Sequence, residues 1–280
     1  MIIFKDPHKI RQHLESLQKK GLKIGYVPTM GALHPGHISL VNQCRQTCDV
    51  TLCSIFVNPV QFNDSEDFKN YPSTLESDIL LLEESGCDLL FLPGETDIYP
   101  DSSFRNKHYE LGNLEQVLEG KFRPGHFQGV CLVVERLLTI LQPDDLFLGQ
   151  KDFQQCKVIS LLLHTMGRPP RLHVCPIVRE TDGLAMSSRN LRLNPEERAL
   201  APQIFKNLTF LKEHLREGNL TQLQKEAVSR LETLGFKVEY LELCNTENLD
   251  PLNRWSPGLH GVILVAAFIG KIRLIDNLLL

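Results

Sequence analysis

"LKIGYVPTMGALHPGHISLVNQCRQ" at residues 22–46 contains the transition on which the fold turns. Its first part, "LKIGYVP", is an apolar run of strand length, and from Ile38 onward the apolar residues Ile38, Leu40 and Val41 take up helical spacing. Between the two stand Gly31, His34, Pro35, Gly36 and His37, a mixture suited neither to a core strand nor to an ordinary surface helix. The two histidines therefore sit where a strand gives way to a helix.

The same alternation continues outward. Strands are expected at "VTLCSIFV", "CDLLFLP", "DLFLG" and "RLHVCPIV", with helices near 74–85, 129–141 and 153–166 between them. Strands alternating with helices imply a parallel sheet covered on both faces, and such sheets bind ligands beyond the carboxyl ends of their strands. After Val178 the composition changes to "RETDGLAMSSRN", and Asn194 followed by Pro195 and glutamates announces a new helix. A further helix near 221–234 and the strands "FKVEYLELC", "GVILVAAFI" and "KIRLID" complete the chain, with Gly270 in a tight turn between the last two. The expected organisation is thus an α/β domain over 1–178 and a smaller α+β domain over 179–280.

Bulk properties exclude several classes. A 280-residue chain that is 42% hydrophobic builds a packed core and is not disordered. With a net charge of −4 there is no global attraction for nucleic acid or anionic membrane, so any bound phosphate needs a local cluster. "VILVAAFI", the longest apolar run, is far too short to span a bilayer, and "MIIFKDPHKI" lacks the apolar core of a secretory signal. The eight cysteines lie scattered, several inside apolar runs, and are expected as reduced core residues; Cys44, Cys48 and Cys53 do not have zinc-knuckle or redox-pair spacing.

Several polar insertions remain as candidate chemistry. In "HPGH", His34 and His37 lie three residues apart at a helix N-terminus, beside unpaired N–H groups and a positive dipole end, which suits a phosphate; Gly31 and Gly36 let a ligand approach the backbone. A capped helix with two surface histidines, or half of a metal site, is the alternative. "GQKDFQQ" at 149–155 repeats the topology, with Lys151 to neutralise phosphate and Gln155 one turn on to offer a donor and an acceptor to a hydroxy acid; solvated glutamines are the alternative. "LAMSSRN" at 184–190 places two hydroxyls and a guanidinium where a mobile clamp over a triphosphate, or a plain linker, would lie. Asn58 and Gln61 in "VNPVQF", and Arg123 and His126 in "RPGHFQGV", are binding groups or ordinary loop formers.

Taken together, "PTMGALHPGH", "FVNPVQF", "RPGHFQGV", "GQKDFQQ", "AMSSRN" and the terminal "RLIDN" resemble, end to end and in order, the pantothenate synthetase (pantoate–β-alanine ligase) family of HIGH-motif nucleotidyltransferases. The resemblance implies a Rossmann-like parallel-sheet domain that binds nucleotide and pantoate, with the smaller domain acting as a lid. It implies ATP as a substrate with Mg2+, condensation of pantoate with β-alanine through an acyl adenylate, and release of AMP and pyrophosphate. It assigns ATP binding to Met30, Gly31, Ala32, Leu33, His34, Pro35, Gly36 and His37, to Gly149, Gln150, Lys151 and Asp152, to Val178, and to Met186, Ser187, Ser188 and Arg189. Catalytic roles fall to His37, in the manner of a general acid, and to His34, Lys151 and Arg189; Gln61 and Gln155 hold pantoate, Gln61 also lies near β-alanine, and Asn58 shares that pocket.

No metal ligand follows from the resemblance. A cytoplasmic homodimer does, with small-molecule partners only and neither nucleic acid nor membrane. Ser73 stands where the family usually has arginine, and Gln150 where it usually has glutamate. Two other classes compete: a nucleotidyltransferase that keeps AMP in a dinucleotide product, and a non-enzymatic nucleotide- or metal-binding module built on "HPGH".

Overall fold

A computed structural model describes residues 1–63, 65–101, 106–256 and 258–280. The chain divides into two compact units, one of residues 1–150 and 155–176 and the other of residues 151–154 and 177–280.

The first unit is built on six parallel strands: β1 (Ile2–Phe4), β2 (Ile24–Thr29), β3 (Val50–Ile55), β4 (Leu89–Phe91), β5 (Asp145–Gly149) and β6 (Arg171–Cys175), in the spatial order β1-β4-β3-β2-β5-β6. Its principal helices are α1 (Pro7–Gln18), α2 (Pro35–Thr47), α3 (Ser65–Lys69), α4 (Leu75–Glu84), α5 (Glu95–Ile98), α6 (Leu118–Phe122), α7 (His126–Leu141) and α8 (Phe153–His164). Successive strand residues point to opposite faces, so Tyr26 packs with Ile10 of α1, Leu137 of α7 and Ile159 of α8, while Val27 packs with Val41 of α2 and Leu82 of α4. Both faces are therefore apolar and covered, which is why the strands read as continuous hydrophobic runs. The last expected strand is shorter than "RLHVCPIV", because pairing with β5 ends at Cys175.

Strand order reverses between β2 and β5. β2 pairs with β3 on one side and β5 on the other, so the connections that leave them depart in opposite directions and a crevice opens beyond their carboxyl ends. Residues 30–34 follow β2, 56–61 follow β3, and 150 onward follows β5.

In the second unit, β7 (Lys237–Asn245), β8 (Gly261–Ile269) and β9 (Ile272–Leu279) form an antiparallel sheet, accompanied by α9 (Pro195–Leu200), α10 (Gln203–His214) and α11 (Leu220–Thr233). Ile263, Val265, Ala267 and Ile269, every second residue of β8, pack against Leu208 and Leu211 of α10 and Ala227 and Leu231 of α11. Asn194 caps α9, its side chain accepting the Glu197 N–H at 2.8 Å while the Glu197 carboxylate accepts the Asn194 N–H at 3.0 Å. Ile269 pairs with Ile272, and Gly270 makes the intervening turn with φ +53°.

All eight cysteines are free and seven are buried. Burial pushes the Cys44 thiol up to about 11 and those of Cys87, Cys131 and Cys244 up to about 12, so these are packing groups and not nucleophiles. No helix of the described residues is long and apolar enough to cross a membrane.

Candidate active site

The chain leaves β2 through a turn that few sequences adopt. Gly31 has φ +82° and Ala32 follows with φ +49°, two successive residues in the left-handed region. A Cβ at position 31 would also stand 3.1 Å from the Asp78 carboxylate and 3.2 Å from Ile55. Asp78, on α4 and 3% exposed, secures the turn: its two carboxylate oxygens accept the N–H of Ala32 at 2.9 Å and of Leu33 at 2.8 Å, and the Thr74 hydroxyl at 3.1 Å. Neither periodicity nor motif pointed to Asp78. It falls inside the helix expected near 74–85.

The turn delivers His34 to the N-cap of α2 and His37 to its first turn. His34 Nδ1 accepts the Gly36 N–H at 3.1 Å, and His37 Nδ1 accepts the His34 N–H at 3.3 Å. The imidazoles themselves thus satisfy N–H groups that the sequence suggested were unpaired. A ring nitrogen that accepts carries no proton, so in the neutral rings the proton is on Nε2, and both histidines present an Nε2–H donor. Their centroids are 4.0 Å apart, which makes the pair one donor cluster.

After β3, Asn58 caps a short 3-10 turn, Pro59–Gln61. Asn58 is 1% exposed, and its amide is consumed by the framework: Nδ2 donates to Gln61 Oε1 at 3.2 Å and to Gly129 O at 3.1 Å, while Oδ1 accepts the Tyr99 hydroxyl at 2.9 Å and the Val60 N–H at 3.3 Å. It holds Gln61, whose Nε2 is directed at Met30 Sδ, 3.2 Å away. "RPGHFQGV", which follows no strand, reaches this place from α7. His126 Nδ1 lies 2.8 Å from Gln61 O, and Arg123 Nη1 lies 3.1 Å from His126 Nε2. Gly129 allows the approach, since a Cβ there would stand 2.7 Å from Val60 O and 2.8 Å from Gln61 N.

At the head of α8, Gln155 is half-buried and its amide makes no hydrogen bond among the described residues, whereas the neighbouring Gln154 is buried. Of the two glutamines, 155 is the one with a side chain to offer. Gly149 ends β5 and Gln150 begins a single 3-10 turn; Ser73 is exposed in the segment before α4.

The second unit contains the rest of the expected set. Lys151 Nζ is 3.4 Å from Asp152 Oδ2. Arg179 and Ala185 form an antiparallel bridge, and Met186 N–H donates to Val178 O at 3.0 Å, so Val178 and Met186 lie side by side. Ser187 caps the 3-10 helix Ser188–Arg192, accepting the Arg189 N–H at 3.3 Å. Among the described residues no three His, Cys, Asp or Glu side chains gather in a way that would hold a metal ion.

A covered parallel sheet whose switch point carries a paired histidine and buried amides has the form of a ligand-binding site of the α/β class. The pantoate-β-alanine ligase family model matches residues 2–279. A pantothenate synthetase of Cytophaga hutchinsonii is 41% identical over 100% of this chain and 99% of its own, and one of Pseudomonas fluorescens is 43% identical over 98% and 96%. Among solved structures, the pantothenate synthetase of Thermus thermophilus superposes with a TM-score of 0.86 at 39% identity, covering 99% of both chains. The pantoate-β-alanine ligase of Francisella tularensis, complexed with β,γ-ATP and β-alanine, superposes at 0.85 with 38% identity over 100% of this chain and 97% of its own. The chain belongs to the pantoate–β-alanine ligase family and is an enzyme, a ligase of pantothenate biosynthesis.

Proposed function

We propose that the chain condenses (R)-pantoate with β-alanine at the expense of ATP, through a pantoyl adenylate, releasing AMP and pyrophosphate. The observation that carries this reading is the His34–His37 pair, two Nε2–H donors at the head of α2 beyond the carboxyl end of β2. The Francisella tularensis relative, crystallised with β,γ-ATP and β-alanine, supports the choice of those substrates.

A carboxylate is a poor acyl donor because its leaving group would be oxide. In the first step a pantoate carboxylate oxygen bonds to the α-phosphorus and the bond to the bridging β-phosphate oxygen breaks, so negative charge grows on the departing pyrophosphate. His34, His37, Lys151 and Arg189 are assigned to that charge; hydrogen-bond donors and cations that meet developing charge accelerate the step. His37 leads, since its Nε2–H serves as a hydrogen-bond donor in the manner of a general acid. Mg2+ bound with ATP would offset phosphate charge, and Asp152, a carboxylate of the ATP set, is the residue that would face it. Met30 to His37, Gly149 to Asp152, Val178 and Met186 to Arg189 make up the ATP set.

Gln61 and Gln155 are assigned to pantoate, Gln61 also to β-alanine, and Asn58 acts on that pocket by fixing the Gln61 amide. In the second step the β-alanine amine bonds to the acyl carbon, AMP leaves with the former carboxylate oxygen, and the nitrogen loses a proton. No group of the enzyme becomes covalently attached, which agrees with the high thiol pKa values of the buried cysteines. Residence in the cytoplasm and assembly as a homodimer rest on the family resemblance; light scattering after gel filtration tests the second.

Turnover with each substrate omitted in turn, followed by chromatography of the nucleotides, tests the reaction. The expected products are AMP and pyrophosphate, dependent on both pantoate and β-alanine. ADP and phosphate, or a dinucleotide that retains AMP, would contradict it.

A further inference from the structure

"RLIDN" is the one sequence signature for which the reaction has found no use. Asp276 and Asn277 lie on β9, 4% and 1% exposed, deep for residues of such polarity. Asp276 is held in a bidentate pair, its two oxygens accepting from Arg179 Nη1 at 2.6 Å and Nη2 at 2.9 Å, and it also accepts the Asn277 N–H at 2.7 Å. The same guanidinium donates to Gly183 O at 3.1 Å and lies 3.7 Å from the centre of the Phe205 ring. It therefore pins both strands of the turn that brings Val178 beside Met186. Asn277 works in another direction, its Nδ2 donating to the main-chain carbonyl of Lys151 at 3.0 Å across 126 residues of sequence.

Two adjacent buried side chains thus hold two separate segments of the second unit, the one bearing Lys151 and the one bearing Val178 and Met186–Arg189. We infer that Asp276 and Asn277 are positioning residues for ATP: Asn277 sets the backbone from which Lys151 projects, and Asp276, through Arg179, sets the 178–189 turn. This rests on the proposal that those segments hold the ATP phosphates. Neither residue is asked to touch substrate. A bidentate, stacked arginine and a buried amide fix backbone position more tightly than a solvated contact, and displacements of about 1 Å at a phosphate-binding group are enough to slow a reaction about a hundredfold.

The test is a double-mutant cycle of Asn277→Ala, Lys151→Ala and the pair, with KM for ATP, KM for pantoate, kcat and melting temperature measured for each. Asn277→Ala is expected to raise KM for ATP about tenfold and leave KM for pantoate within about twofold. Combined with Lys151→Ala it should add little, because its effect passes through Lys151. Additive losses in the cycle, an unchanged KM for ATP, or equal losses for both substrates would overturn the inference. Should Asn277→Ala fail to fold, Asn277→Leu keeps the volume without the donor and is held to the same criterion. Asp276→Asn, which acts through Arg179 on the 178–189 turn, is expected to raise KM for ATP and leave KM for pantoate within about twofold, and equal effects on both would overturn its part of the inference. If Lys151→Ala itself has wild-type kinetics, the assignment of Lys151 to ATP is wrong and the inference falls with it. Normal kinetics for Asn277→Ala beside an impaired Lys151→Ala would reject the positioning role alone.

Discussion

The carboxylate of Asp78 accepts the backbone N–H of Ala32 at 2.9 Å and so holds an alanine at φ +49°, a conformation L-residues avoid. Asp78→Asn keeps the volume but turns one acceptor into a donor that faces another donor. The expected cost is about 1–3 kcal/mol, from the usual penalty for an unmade buried hydrogen bond. Because the turn aims His34 and His37, kcat/KM for ATP should fall at least about tenfold, by steady-state assay on protein whose circular dichroism is native. Unchanged kinetics would remove Asp78 from the account of the site.

Gly129 is expected to tolerate no side chain. The Cβ of Gly129→Ala would stand 2.7 Å from Val60 O, so α7 must retreat from the turn that presents Gln61. Overpacking of this kind costs about 1–3 kcal/mol. A lower melting temperature together with weaker pantoate binding is the expected pair of results; an unaltered melt would show that the helix yields without cost.

Gln155→Ala should weaken pantoate far more than ATP, by about 1–3 kcal/mol for a hydrogen-bonding partner lost from a buried ligand. Calorimetric titrations with each ligand separate the two. Equal losses would mean that the shared cleft, and not a pantoate contact, has been damaged.

The paired histidines and the alternation of strand and helix were legible because each is local. Period and motif lie within a dozen residues, and residues 22–46 contain both. β1 and α1 left a fainter trace: β1 is three residues long, and the cap of α1, Asp6 accepting the His8 N–H at 2.8 Å, follows an apolar run too short for a periodic reading. The supports of the site were hidden for a different reason. Asp78 reaches Ala32 across 46 residues and Asn277 reaches Lys151 across 126, and contacts made by the fold leave no periodic signal in one sequence. Asn58 could be read from its residue type as a binding group or a loop former, and only the fold shows its amide hydrogen-bonded to Gln61, Gly129, Tyr99 and Val60.

Away from the site, Asp145 predicts a pH dependence. Burial pushes its carboxyl up, but the ion pair with Lys23, at 2.8 Å, and the hydrogen bond from His173, at 2.5 Å, outweigh that and leave it below the usual carboxylate range. A carboxyl lowered by folding stabilises above its unfolded pKa of about 3.9, and the contribution disappears as pH falls through the folded value. Asp145→Asn should therefore be less stable than the parent at pH 7, with the gap closing below about pH 4. Denaturant melts at pH 7, 4 and 3 would show it. A gap that does not change with pH would mean that packing, and not ionisation, carries the effect.

The adenylate itself is tested most directly by oxygen transfer. Pantoate labelled with oxygen-18 in both carboxylate oxygens is turned over with unlabelled ATP and β-alanine, and the nucleotide product is examined by mass spectrometry. One labelled oxygen is expected in AMP, since the oxygen that bonds to the α-phosphorus leaves with it when the amine attacks, and the other stays in the amide. AMP without label, or label in inorganic phosphate accompanied by ADP, would contradict attack at the α-phosphorus and with it the pantoyl adenylate.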